Sequence, residues 1–117
     1  MTAADLDHAD RARAFYEAVD GDEYDRLGRL LDPAFVHVRP DRTIEGRDRF
    51  VQFMREGRPV DDTTHEVETV YEGADGVAVR GRLYRPDGSL WFRFVDVFEA
   101  GDRGFTRLRT YTADGEA

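Results

Sequence analysis

The chain has no cysteine, no lysine and no asparagine, and only one serine, one glutamine and one isoleucine. Without cysteine there is no disulfide, no zinc–thiolate site and no thiol nucleophile. Without asparagine there is no N-glycosylation acceptor. The single serine, Ser89, falls in a turn, which leaves no place for a Ser-His-Asp triad. No apolar run approaches the ~18 residues a membrane helix needs. The N-terminal MTAADLDHADRAR is acidic where a signal peptide needs a basic start and an apolar core, so a cytoplasmic location is expected. P-loop, GxGxxG and HExxH patterns are missing; His65-Glu66 lacks its second histidine. His8, His37 and His65 are too scattered to argue for a metal, and neither a metal nor a cofactor is expected. His8 is expected in solvent and His65 as a polar residue at a strand edge.

What is present is one domain's worth of chain, residues 1–117. Apolar residues make up 40%, including eight Phe, five Tyr and one Trp, which is enough to build a core despite 36% charge. Sixteen Asp and nine Glu against seventeen Arg give −8, a balance that repels phosphate backbones and argues against nucleic-acid binding. Two causes fit the acid excess. Carboxylates keep a protein hydrated at high salt, as in a halophile. A GC-rich genome also favours Arg over Lys and depletes Ile and Asn, but it does not by itself explain −8.

Helices come first along the chain. In residues 5–19, Ala12, Phe15, Tyr16 and Val19 form one apolar stripe, with Asp5 and Asp7 at the positive end of the helix. Asp20-Gly21-Asp22 breaks it. Residues 23–31 place Tyr24, Leu27, Leu30 and Leu31 on a second short helix, stopped by Pro33. Residues 34–39 read as a strand and 43–45 as a short extended piece. RDRFVQFMREG (47–57) reads as a third helix. Strands follow at 64–72, 77–85, 89–99 and 105–112, separated by GADG, PDG and AGDRG turns. Helices first and strands later predict an α+β fold.

Alternation sorts the strands into two faces. Phe92, Phe94, Asp96 and Phe98 share one face with Val77, Val79, Gly81, Leu83, Thr106, Leu108 and Thr110, which should meet the helices. The other carries Arg80, Arg82, Tyr84, Trp91, Arg93, Phe105, Arg107, Arg109 and Tyr111. Arg, Trp and Tyr are enriched at interfaces, so this face predicts a homodimer. Its arginines could instead pair with Glu66 and Glu68 on the neighbouring strand.

FYEAVDGDEYDRLGRLL, AFVHVRP, TIEGRDRFVQFM, GVAVRGRL and FRFVDVFEAGDRG together resemble the SnoaL-like branch of the nuclear transport factor 2-like superfamily, relatives of ketosteroid isomerases and polyketide cyclases. The resemblance spans about residues 10–113. It implies a cone: three N-terminal helices on a strongly curved, mostly antiparallel sheet (a cystatin-like α+β barrel) around a blind pocket. The isomerase general base matches Arg39, before Pro40; an arginine does not accept a proton at neutral pH. The isomerase tyrosine of the first helix matches Phe15 or its neighbour Tyr16, and a supporting tyrosine matches Met54. The strand acid is present as Asp96, the position at which a related cyclase keeps its acid/base. The aspartate–arginine–aspartate set of an epoxide-hydrolase branch finds no second pocket aspartate here.

If Arg39 faces the pocket, so do Phe35 and His37, and His37, Arg39 and Asp96 converge. Asp96 and His37 are the candidate acid/base residues. Phe15, Tyr16, Phe35, Arg39, Met54, Val79, Gly81, Phe94, Leu108 and Thr110 are the candidate lining, with Gly81 widening the cavity. Arg39 could bind a carboxylate or carbonyl; alternatively Arg39 or His37 neutralises a buried Asp96. The expected partner is a small apolar or amphipathic molecule of about ten to twenty heavy atoms. Binding alone is the main reading. A cofactor-independent isomerase, cyclase or hydrolase is the alternative.

Overall fold

The computed structural model describes residues 7–58 and 60–114. The elements are α1 (His8–Asp20), α2 (Tyr24–Arg29), β1 (Leu31–Val38), β2 (Thr43–Glu45), α3 (Arg47–Gln52) running on into a π-helical turn at Phe53–Gly57, then β3 (Thr64–Glu72), β4 (Gly76–Tyr84), β5 (Leu90–Gly101) and β6 (Gly104–Asp114). The fold is α+β. One six-stranded sheet has the order β2-β1-β6-β5-β4-β3, antiparallel throughout except where β1 runs parallel to β6. No helix among the described residues is long and apolar enough to cross a membrane.

The start of α1 is set by Asp7, whose Oδ1 accepts the Asp10 N–H at 2.7 Å, a side-chain cap on an otherwise orphaned donor. Asp5 lies outside the described residues. Phe15, Tyr16 and Val19 are buried against the concave face of the sheet. Phe15 meets Phe98 edge-on at 5.2 Å between ring centres, and Tyr16 lies 5.7 Å from Phe94. His8, expected in solvent, is half-buried at the start of this helix.

Most element boundaries lie one to three residues from the sequence reading, and the differences at β1 and at the third helix have clear physical causes. Leu31 opens β1 rather than closing α2, because its apolar side chain serves either element and the Phe105 N–H reaches back to the Leu30 carbonyl at 3.0 Å. Pro33 therefore lies inside β1, in the irregular stretch between Leu31 and Val36, where a missing N–H costs no ladder bond. The third helix is not regular to its end: residues 53–57 form a π turn, and the Arg58 Nε donates to the Met54 carbonyl at 2.8 Å.

Bulges also move side chains between faces. In β5–β6, Glu99 pairs with Arg107 but Ala100 pairs with Phe105. The extra residue, Thr106, shifts Phe105 off the arginine face into the core, where it is fully buried 4.6 Å from Phe98. In β4–β5, Leu83 pairs with Phe92 and Tyr84 with Leu90. Trp91 is the unpaired residue there, and it turns from the arginine face toward the cavity.

Candidate functional site

The concave sheet face, α1 and the α3–π-turn segment enclose a cavity of about 260 Å³. This lies just below the usual range for small-molecule sites. Phe15, His37, Arg39, Met54, Phe94, Asp96, Leu108 and Thr110 line it, as do Trp91, Phe92, Arg58, Thr63 and His65. Tyr16, Phe35, Val79 and Gly81 are not on its surface. Tyr16, Phe35 and Val79 are buried behind it. Gly81 does not widen the cavity: a Cβ there would collide with the Glu66 carbonyl and lie 2.7 Å from Phe94 Cζ. The glycine instead seats the Phe94 ring over β4.

Asp96 is 5% exposed on β5, between Val79 of β4 and Thr110 of β6. Neutral hydroxyls hold both oxygens. Tyr16 Oη donates to Oδ2 at 2.7 Å and Thr110 Oγ1 donates to Oδ1 at 2.6 Å. Burial raises the carboxyl above the usual carboxylate range and outweighs these two hydrogen bonds, which pull the other way. Burial, and then the neighbouring Asp96, hold the Tyr16 hydroxyl well above its ordinary value, so it stays a donor.

His37 is also buried, and its Nε2 lies 2.9 Å from Thr110 Oγ1. Burial first, and then the Arg39 charge, push it from 6.5 down to about 3, so the ring is neutral. Thr110 thus links Asp96 to His37 in one chain. With Asp96 ionised, His37 Nε2–H donates to Thr110, which donates to Asp96. With Asp96 protonated, its added O–H can donate into the cavity while the Thr110 and Tyr16 hydroxyls go on donating to the two carboxyl oxygens.

Arg39 does not neutralise Asp96. Its guanidinium lies at the cavity mouth, bonded to Asp41 through Nε at 3.2 Å and placed 5.2 Å over the Phe53 ring. Arg58 joins it on the rim, tied to Asp22 and Tyr24 Oη at 3.3 Å each.

One group the sequence reading set aside faces the same cavity. His65, at the start of β3, is doubly held by Asp20 at the end of α1. Nδ1 lies 2.6 Å from Oδ1, and the backbone N–H donates to Oδ2 at 2.8 Å. The ring sits 5.0 Å from Tyr16 and 5.7 Å from Phe94. Nothing in the local sequence signals this pair: the partners are 45 residues apart, and each reads alone as an ordinary polar residue. Trp91 is hidden by the bulge that turns it toward the cavity, while Phe92, on the concave face by alternation, lines the cavity without being among the candidate residues.

The SnoaL-like domain model matches residues 12–108, and the chain belongs to that family. Its fold recurs in solved structures. An NTF2-like protein of unknown function from Cytophaga hutchinsonii superposes with a TM-score of 0.80 at 16% identity, over 92% of this chain and 91% of that one. A candidate polyketide cyclase from Sinorhizobium meliloti gives 0.77 at 17%, over 95% and 100%. A candidate ketosteroid isomerase from Kribbella flavida gives 0.77 at 21%, over 99% and 82%. At these identities the likeness is one of fold. Among curated proteins, none matches this sequence.

Proposed function

We propose that this chain binds a small, mostly apolar molecule carrying one carbonyl or hydroxyl group, with that oxygen hydrogen-bonded to Asp96. The observation that carries the reading is a buried carboxyl on the cavity wall to which, among the described residues, only two neutral hydroxyls are bonded. Burial raises the Asp96 carboxyl, and in its protonated form it can donate a hydrogen bond to a ligand oxygen. The surrounding Phe15, Phe94, Leu108 and Met54 supply apolar contact, and Arg39 and Arg58 mark the polar mouth. A thermal-shift titration with 2-indanone and 2-naphthol, two compact bicyclic ligands with one oxygen each, tests this. A ligand at ~100 times its Kd stabilises the folded state by about 2.7 kcal/mol. Asp96→Leu, which keeps the branched shape and removes the hydrogen bond, should abolish the shift. Equal shifts in both proteins defeat the reading.

For the outer sheet face we infer a second copy of this chain as partner. Val95 and Tyr111 are exposed there, 38% and 56%, and Arg93 Nε is buried with no hydrogen-bond partner among the described residues. Some of the face is already paired within the chain: Arg82 lies 3.7 Å from Glu68, and Arg107 lies 3.3 Å from Glu99. Arg80, Arg93 and Glu68 border one groove. A two-fold copy can therefore set acid against arginine in both directions.

A further inference from the structure

We infer that the ligand of this cavity is an organic acid in its ionised form, and that Arg39 at the mouth receives its carboxylate while the remote end of the molecule meets Asp96. The inference rests on the reading that Asp96 receives a ligand oxygen, and it adds a second, charged group to that ligand. It starts from how the two arginines on the rim spend their donors. Arg58 is committed. Its Nε donates to the Met54 carbonyl at 2.8 Å, and its Nη2 donates to Asp22 Oδ1 and Tyr24 Oη at 3.3 Å each. Its side chain is 9% exposed. Arg39 is not committed. Only its Nε is engaged, donating to Asp41 Oδ1 at 3.2 Å, and its two terminal nitrogens make no hydrogen bond among the described residues. Its side chain lines the cavity and is 28% exposed. Those two nitrogens form a fork that can take both oxygens of a carboxylate side by side.

Charge and packing both favour an anion at this place. Asp41 is shared: Arg39 Nε lies 3.2 Å from one of its oxygens and Arg42 Nε lies 3.3 Å from the other, so it neutralises only one of the two. Asp22 is the carboxylate of Arg58. One positive charge in this group of five has no carboxylate of its own, in a chain that carries −8 overall. An anion arriving at the mouth supplies the missing partner. The guanidinium of Arg39 is also held in place, 5.2 Å over the Phe53 ring, with Arg42 5.1 Å over the same ring. A fork fixed beforehand loses little freedom when it binds. Its charge is felt inside the cavity: after burial, Arg39 is the next cause that holds His37 down at about 3. A neutral ligand that reaches Asp96 leaves the fork to water, whereas an acid of matching length uses both groups. Phe15, Phe94, Leu108 and Met54 make much of the remaining wall apolar, which excludes an inorganic anion that would leave them wet. The class that fits is an aromatic or cyclic acid with one hydroxyl or ketone at the end remote from its carboxylate.

The experiment titrates three ligands of one skeleton by calorimetry at neutral pH: 2-naphthol, 6-hydroxy-2-naphthoate and the methyl ester of that acid. The ester keeps the shape of the acid and removes its charge. In the wild type the acid should bind about tenfold or more tighter than the ester. Arg39→Gln, which removes the charge and the fork, should bring that ratio down to about one. Arg39→Lys keeps the charge without the fork and should give a ratio between these two, and it reads the same effect if Arg39→Gln does not fold. An acid that binds the wild type no tighter than its ester, or a wild-type ratio in either variant, overturns the inference. The binding reading then still stands if 2-naphthol binds the wild type and not Asp96→Leu. If none of the three ligands binds, or if Asp96→Leu binds them as the wild type does, the binding reading fails and the inference fails with it.

Discussion

Asp96 and His37 sit at opposite ends of one hydrogen-bonded chain, and burial shifts them in opposite directions, so their pH signatures oppose each other. Asp96 keeps its proton to a higher pH in the folded than in the unfolded chain. Its contribution to stability is complete below about pH 3.8 and is lost as pH rises through the folded value. His37 is the reverse: its contribution is complete above about 6.5 and is lost as pH falls toward about 3. In the acid range the two slopes offset each other in the native protein. Single variants should separate them. Relative to wild type, Asp96→Asn should gain stability as pH rises, and His37→Gln should gain as pH falls. Each gain should be roughly 1.4 kcal/mol per pH unit inside its window. Denaturant melts from about pH 4 to about pH 9 measure both differences, and a flat difference removes the shift assigned to that residue. Strand alternation put Asp96 on the apolar face, and the family resemblance marked it as the strand acid; His37 followed from the family position at Arg39, two residues along the same strand. It could not show that Tyr16 and Thr110 hold the carboxyl, that Arg39 turns aside to Asp41, or that His65 meets Asp20. Those depend on how α1 and the strand ends come together.

At the scale of elements, the order of helices and strands was readable from periodicity and turn residues, and the two side chains assigned to the wrong sheet face share one cause. A bulge inserts a residue that period-two reading does not count, so every side chain beyond it changes face. This is why Phe105 was assigned to the arginine face and Trp91 away from the cavity. The β3–β4 pair holds a further irregularity, between Val67 and Thr69, directly opposite Gly81. There the Glu66 carbonyl and the Phe94 ring occupy the space a side chain would need. The carbonyl belongs to main chain in the sheet and cannot swing aside as a flexible side chain could. Gly81→Ala should therefore destabilise the fold by about 1–3 kcal/mol and push Phe94 toward the cavity. Urea denaturation reads the first effect, and a weaker thermal shift with 2-indanone reads the second. An unchanged urea midpoint would mean that the β3 irregularity relaxes freely. Gly104 is a different case: its φ of +117° in the β5–β6 turn is a conformation other residues avoid, and it brings the chain against Leu30.

Over the whole molecule the charge of −8 sets the energetics that no single site reveals. Many of the ion pairs are short-range and exposed: Arg26 with Glu17 and Glu23, Arg42 with Asp41, and Arg107 with Glu99. Such pairs contribute about 0–1 kcal/mol each, so salt has little to take away by screening them. The unpaired excess of carboxylates repels at longer range, and that repulsion is what salt removes, since the screening length falls from about 10 Å at 0.1 M to about 3 Å at 1 M. Tm should therefore rise steadily between those concentrations of KCl. The same series separates two kinds of dimer contact. If two copies meet through Val95 and Tyr111, light scattering should give twice the 13.4 kDa chain mass at both ends of the series, because apolar contact does not weaken with salt. Val95→Arg, placed beside Arg80 across the ladder and close to Arg93 on the same strand, should give a monomer throughout. A native protein that is monomeric in molar salt removes the second copy from the outer face. A Tm that stays flat or falls removes adaptation to high salt, leaving base composition as the source of an arginine-rich, lysine-free chain.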